Sequence, residues 1–357
     1  MPTETQPLRI LQVMAGNKHG GAEIAFVDMC IAMAEAGQIV EVVTRANDGR
    51  VPRLEEAGLK VHTLPFGGAI DLYTPWAIGR IIKAFQPDIV QTWLSRGAWK
   101  TPKWKPGSGD KPYRTVARLG NYYKMKYFRT MEYFVAITPD IKSYIIGEGN
   151  PQDHVVHINN FAETEDAPVP VLRRDLETPD DATVLLGLGR LHDDKAFDTL
   201  IEAVGKMPEH VHLWIAGEGP DREKLESLIG RLGVSDRVKL LGWRDDRAAL
   251  LQACDICTFT SRDEPFGTVF VQAWAQKTPV VVSDADGPRQ FVRDGEDGLV
   301  TPIDDQDAIV RAIARLDGDP ALKERLSQNG WARYQNEFTK EKTVQAYLDF
   351  YRKIISE

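Results

Sequence analysis

An α/β protein with two parallel-sheet domains is the fold class this sequence predicts, on three observations. Short apolar runs without polar alternation, the mark of strands buried on both faces, recur along the chain and alternate with helical stretches. Alternation on that scale means a doubly wound parallel sheet. The length of 357 residues suits two domains, each large enough for its own core. Between them, residues 162–182 (AETEDAPVPVLRRDLETPDDA) are acidic, carry Pro168, Pro170 and Pro179, and keep no period, which reads as a linker.

The first domain opens with the apolar run Leu8 to Met14, a glycine-containing turn through Gly20 and Gly21, and a long helical pattern closed by Gly37. Strand, turn and helix in that order aim the amides of the turn at the carboxyl edge of the sheet, where open α/β sheets bind ligands. The turn is not a GxGxxG fingerprint, and a plain structural turn stays open as a reading; His19 beside it reads as a surface residue. Further strands are expected at Ile39 to Thr44, Val61 to Leu64, Asp88 to Thr92, around Val116, at Tyr133 to Ile137 and at Val155 to Ile158, with a helix over Thr74 to Phe85.

In the second domain, Thr183 to Leu188 reads as a strand leading into GLGRLHDDKAF. Arg190 and Lys195, placed just past the strand end, offer a planar fork and a compact point charge to a diphosphate. The plainer alternative is a surface ion pair with Asp193 or Asp194. Strands follow at Val211 to Ala216, Val238 to Gly242, Ile256 to Thr260 and Val280 to Ser283, and helices begin near Asp304, Pro320 and Lys340. Domain limits are accordingly 1–165 and 166–339, with a last helix over 340–357.

The stretch from Ser261 to Ser283, SRDEPFGTVFVQAWAQKTPVVVS, concentrates the polar chemistry. Pro265 and Gly267 force a break after Glu264, so the N–H groups of Phe266, Gly267 and Thr268 lie free at the first turn of the following helix, ready for an oxygen-rich ligand. The alternative is an ordinary turn before a core helix, with Glu264 solvated. Glu264-Pro-Phe-Gly-Thr, the helix and Thr278-Pro-Val-Val-Val closely resemble the signature of the family 4 glycosyltransferases. Gly20-Gly21-Ala22-Glu23, the Arg190 and Lys195 pair, and Gly217-Glu-Gly-Pro220 resemble that family as well.

The resemblance implies the GT-B fold: two Rossmann-like doubly wound domains facing across a cleft, with the last helix crossing back onto the first. It implies sugar transfer from a nucleotide diphosphate donor, a UDP-sugar as first choice, to a glycan or glycolipid acceptor such as a surface polysaccharide or lipopolysaccharide. The outcome would be retaining, with neither cofactor nor metal. Arg190 and Lys195 would hold the diphosphate, Glu264 and the amides of Phe266 to Thr268 the sugar, and Gly20 and Gly21 would close the site. Trp243, after the strand ending at Gly242, would lie near the base. The family's second Glu, eight positions after the first, is Gln272 here; it keeps one carbonyl acceptor for the ribose and loses the charge. The histidine the family often carries after Asp88-Ile-Val is also replaced, by Gln91-Thr-Trp93. Those two departures motivate a non-catalytic nucleotide- or sugar-binding protein as the rival reading, with a nucleotide-sugar epimerase as another GT-B possibility.

The segment from Arg96 to Arg129 stands out in a chain of net charge -8: ten Lys or Arg against the single acid Asp110 give it +9, leaving -17 elsewhere. Lys103, Lys105, Arg118, Tyr122, Tyr123 and Lys124 belong to it. One reading is a surface for an anionic acceptor or anionic headgroups, at about 1 kcal/mol per basic residue near a membrane; the other is a solvated loop and a helix that buries its aromatics. Nucleic acid as a partner is disfavoured by the acidic remainder. No signal peptide or spanning run of about 18 apolar residues is visible, so a cytoplasmic protein, peripheral at the inner face of the membrane, is expected. Cys30, Cys254 and Cys257 read as buried small hydrophobes. His210-x-His212 and the DxD of Asp284 and Asp286 read as structural, with no metal.

Overall fold

The computed structural model describes residues 6–17, 20–68, 70–106, 111–162, 164–165 and 167–357. His19 and Asp110 lie outside the described residues. The chain divides into two compact units: residues 1–160 with 340–357, and residues 161–339.

In the first unit, seven strands form one sheet: β1 (Arg9–Met14), β2 (Ile39–Thr44), β3 (Lys60–Thr63), β4 (Ile89–Trp93), β5 (Arg114–Leu119), β6 (Tyr133–Ala136) and β7 (Val155–His157). Their order is β3-β2-β1-β4-β5-β6-β7 and every pairing is parallel. The helices are α1 (Gly21–Glu35), α2 (Arg50–Glu56), α3 (Tyr73–Phe85), α4 (Leu94–Lys100) and α5 (Pro139–Gly147). β4 is buried at every residue, so polar side chains on it must find partners inside. Trp93 Nε1 donates to Gln12 Oε1 at 2.8 Å and Gln91 Nε2 to the same oxygen at 3.3 Å.

The second unit carries β8 (Thr183–Leu188), β9 (Val211–Ala216), β10 (Val238–Gly242), β11 (Ile256–Phe259), β12 (Val280–Ser283) and β13 (Leu299–Thr301). These are parallel in the order β10-β9-β8-β11-β12-β13. Helices α6 (Phe197–Gly205), α7 (Arg222–Leu232), α8 (Arg247–Ala253), α9 (Thr268–Ala275), α10 (Pro288–Phe291), α11 (Gln306–Gly318) and α12 (Pro320–Arg333) cover it. The core joins Leu185, Leu213 and Ile215 of the sheet to Leu200, Ile201 and Val204 of α6, all fully buried. Each such side chain contributes about 1.5–3 kcal/mol of transfer free energy.

The last helix, α13 (Lys340–Ser356), belongs to the first unit. Its buried residues Val344, Tyr347, Tyr351 and Ile354 recur every three to four positions, which puts one apolar stripe toward the core. The Tyr351 hydroxyl donates to Gln91 Oε1 at 2.5 Å, and Arg114 Nε donates to the carbonyl of Ile354 at 2.9 Å.

The basic segment is not one surface. Arg118 sits on β5, between β4 and β6, and is 3% exposed; its guanidinium lies 4.5 Å from the Trp93 ring centroid and donates to Asn160 Oδ1 at 2.6 Å. Trp93, Asn160 and Tyr347 enclose the side chain, so the expectation of Arg118 at an outer surface is corrected. Lys100 is likewise buried, its ammonium held by the carbonyls of Gly68 and Asp71.

Candidate functional site

In the second unit the strand order reverses between β8 and β11, and open sheets bind ligands outside the carboxyl ends of strands at such a switch point. The loop after β8 carries Arg190 and Lys195, and the loop after β11 carries Glu264. Lys195 Nζ meets Glu264 Oε2 at 2.5 Å across the switch, with side chains 23% and 17% exposed. The same ammonium is 5.7 Å from the Phe259 ring centroid.

Close backbone approach sets this geometry. Leu191 N–H donates to the Glu218 carbonyl and Gly189 N–H to that of Ala216. A Cβ on Gly217 would stand 1.7 Å from the Gly189 oxygen, so only glycine lets the loops after β8 and β9 close on each other. Gly267 has φ 92°, and a Cβ there would come 2.5 Å from the Phe259 ring. That glycine folds the Glu264 loop back against the end of β11 and starts α9. Among the described residues nothing accepts from the N–H groups of Phe266, Gly267 or Thr268. The helix behind them is held by Phe266, Phe270, Phe291 and Phe338, whose ring centroids lie 5.0–6.4 Å apart.

Arg262 is the positioning residue the sequence did not reveal. Its guanidinium pairs with Asp304 at 2.8 Å, Asp198 at 3.0 Å and Asp193 at 3.3 Å, and its own N–H donates to the Asp194 carbonyl at 2.8 Å. These contacts tie the loop of Glu264 to the turn of Lys195. Burial opposes the charge on Arg262, but hydrogen bonds from it to Asp304 and Asp198 outweigh that and raise its pKa. The hydrogen bond from Arg262 also lowers the pKa of Asp304. Its acidic partners lie 42 to 69 residues away in sequence, so no local pattern marks them.

The surface-pair alternative for Arg190 fails: Asp193 is taken by Arg262 and Lys224, and Asp194 by His192. Arg190 is exposed and makes no hydrogen bond or ion pair with any described residue. Gln272 is half-buried on α9, its carboxamide without a partner among the described residues. Trp243 lies two strands from the switch, 60% exposed, with Nε1 donating to Asp245 at 2.9 Å. Gly20 and Gly21 are exposed at the start of α1 in the other unit. Lys103, Lys105, Tyr122 and Lys124 are exposed; Lys103 pairs with Glu132 at 3.4 Å, and Tyr122 stacks edge-on against Tyr144 at 5.4 Å. Tyr123 is half-buried, and burial raises its pKa.

Cys30, Cys254 and Cys257 are free and buried, and burial raises the pKa of the thiol in each case, for Cys257 to about 12. His210 bonds Asp317, Asp284 accepts from the Ile303 N–H, and Asp286 pairs with Arg289.

Comparison with known proteins places this arrangement. The glycosyl transferases group 1 family matches residues 169–333, and the glycosyl transferase 4-like domain matches residues 20–160. The lipopolysaccharide core biosynthesis glycosyltransferase LpsE of Rhizobium meliloti (strain 1021) is 36% identical over 335 residues, 93% of this chain and 95% of the relative. LpsD of the same organism is 34% identical over 348 residues, 96% of this chain and 98% of the relative. In fold, the chain is similar to Anabaena Alr3699/HepE in complex with UDP, with a TM-score of 0.83 at 20% identity over 97% of this chain and 100% of that one. The lipopolysaccharide outer core galactosyltransferase WaaB gives a TM-score of 0.68 at 20% identity, over 92% of this chain and 99% of that one. Two Rossmann-like parallel sheets, both family matches and near full-length relatives agree: this chain is a glycosyltransferase of family 4, with the GT-B fold.

Proposed function

We propose that the protein transfers a sugar from a UDP-sugar to a growing lipopolysaccharide core or similar glycolipid, without a metal and with retention at the anomeric carbon. The observation that carries this reading is the Lys195–Glu264 contact at the switch point, beside three open amides and the unpaired Arg190. Arg190 and Lys195 meet the diphosphate; Glu264 and the amides of Phe266 to Thr268 hold the sugar hydroxyls; Gln272 accepts from the ribose. The acceptor hydroxyl oxygen bonds the anomeric carbon as that carbon's bond to the β-phosphate oxygen breaks, the hydroxyl proton passes to the departing phosphate oxygen, and the cations stabilise the charge that builds on the diphosphate. Two relatives named for lipopolysaccharide core synthesis and a neighbour solved with UDP and with UDP-glucose support the donor and acceptor classes.

No helix among the described residues is long and apolar enough to cross a membrane. We assign a peripheral position at the cytoplasmic face to exposed Lys103, Lys105 and Lys124, joined by Ile70, Leu72, Tyr73 and Trp76, which are 94%, 79%, 56% and 57% exposed. The test is release of nucleoside diphosphate from UDP-, GDP- and ADP-sugars in EDTA, with truncated lipopolysaccharide cores as acceptors and the product anomer read by NMR. Release of UDP matched by product formation supports the reading. Tight nucleotide binding without turnover on any core returns the non-catalytic rival.

A further inference from the structure

The first unit has its own switch point, between β1 and β4, and three arginines gather there. Arg45 follows β2, Arg50 opens α2, and Arg96 lies on α4 just past β4. Arg45 Nη2 and Arg96 Nη1 both donate to the Phe66 carbonyl, at 2.5 and 3.4 Å. Arg45 Nη1 reaches the Gly16 carbonyl at 3.5 Å, and Arg50 Nη1 the Asn17 carbonyl at 3.1 Å. Arg50 is 5% exposed, and its Nε donates to Thr44 Oγ1 at 3.0 Å. Gly16, at φ 62°, leaves room for it, since a Cβ there would stand 2.7 Å from Nη1.

None of the three bonds a carboxylate among the described residues, in a chain whose other arginines include the triply paired Arg262. Every acceptor they use among the described residues is neutral, and with five donors on each guanidinium more than half of their N–H groups bond none of those residues. Gly16, Asn17, Arg45, Asn47, Asp48 and Arg50 line a hollow of about 390 Å³, Asp48 being exposed; Arg96 stands outside that lining, tied to it through the Phe66 carbonyl it shares with Arg45. The nearest buried acid, Glu23, is turned to the Asn17 N–H at 2.6 Å. Glu23 offsets part of the charge of Arg50, and holding the remaining cations together is costly. Burial lowers the pKa of Arg45 and of Arg50; the Arg96 guanidinium lowers Arg45 further, while for Arg50 the charge of Glu23 opposes the shift and that of Arg45 adds to it.

We propose that Arg45, Arg50 and Arg96 form a binding site for an oxyanion, a phosphate or carboxylate group carried by the acceptor sugar. Guanidinium forks match the geometry of both groups, and the site lies where open sheets take ligands. The acceptor class is thereby narrowed to an anionic glycan, which rests on the reading of the protein as a sugar transferase. Anion binding itself does not rest on it.

Inorganic phosphate and D-glucuronate are titrated calorimetrically into protein carrying Arg190→Ala and Lys195→Ala, which silences the other cationic loop. Saturable binding of one anion is expected, weakened at least tenfold by Arg96→Ala or Arg45→Gln and partly restored by Arg96→Lys. Arg96 is exposed and makes only its bond to Phe66, so its variant folds even where an Arg50 variant does not. Which anion binds separates phosphorylated from acidic sugars. With transfer established, Arg96→Ala is further expected to raise acceptor KM about tenfold and leave donor KM unchanged. Non-saturable binding, or affinities unchanged by Arg96→Ala and Arg45→Gln, would overturn the proposal even if sugar transfer is confirmed. Saturable, arginine-dependent binding in a protein that transfers no sugar would sustain the site and sink the transferase reading.

Discussion

Replacing Arg190 by Ala separates binding from stability, because this side chain has no partner to lose. It is exposed and bonds no described residue, so truncation changes folding by under about 0.5 kcal/mol. For a unit of this size that is a Tm shift within about 2 °C. Its role at the diphosphate is worth more: hydrogen bonds to a charged group contribute about 1.5–3 kcal/mol, which weakens UDP by roughly 10- to 150-fold. Lys195→Ala behaves differently. It strands Glu264, whose side chain is 17% exposed, and adds a stability loss of about 1–2 kcal/mol after discounting for the residual exposure. Calorimetric titration of UDP in EDTA at fixed ionic strength, paired with scanning calorimetry of each variant, gives both quantities. A UDP affinity within threefold of wild type in a fully folded Arg190→Ala protein refutes the role. A large drop in its Tm refutes the claim that the side chain is free.

Three further outcomes follow from the packing. Gly217→Ala puts a Cβ 1.7 Å from the Gly189 oxygen; opening that turn costs about 3 kcal/mol or more, read as a clear fall in Tm and weaker UDP binding. Asp297→Asn removes the more buried of two carboxylates on Arg333, 2.9 Å away with side chains 2% and 14% exposed, and leaves it Glu337 at 3.1 Å; a loss of about 1.5–3 kcal/mol in urea unfolding is expected, and a loss under about 0.5 kcal/mol would show the Asp297 contact to be dispensable. Asp71 accepts from the Thr74 hydroxyl and N–H and from the Gly67 N–H, which hold its pKa down at about 2. A carboxyl depressed on folding stabilises above its unfolded value near 3.9 and loses that contribution as pH falls through the folded value. The stability gap between wild type and Asp71→Asn should therefore be constant above about pH 4 and close between pH 4 and 2.

The local elements were legible because each is specified by residues close in sequence. Thr183–Leu188, Val211–Ala216 and Ile39–Thr44 occupy the strands their apolar runs predict, and the Pro-Phe-Gly break after Glu264 starts α9 at Thr268. What escaped depends on partners far apart. Arg118 looks like one more cation of a basic run until strand order puts β5 inside the sheet. Arg262 looks like the preface to a motif until Asp193, Asp198 and Asp304 arrive from two other loops. The arginines at 45, 50 and 96 carry no common spacing, and only the ends of β2 and β4 bring them together. Helix α4 was also missed, since seven residues beginning at Leu94, with φ 60°, leave too short a period to read.

The return of α13 to the first unit has a consequence for how this chain is made. Residues 161–339 are continuous and have all their core side chains once they leave the ribosome, whereas the first unit lacks Tyr347, Tyr351 and Ile354 until residues 340–357 have followed them. Gln91, already inside the sheet, waits for the Tyr351 hydroxyl through the synthesis of 260 further residues. The order of synthesis and the order of completion are thus reversed, and a nascent chain whose residues 340–357 are not yet free of the ribosome holds an unfinished first unit however far its second unit has folded.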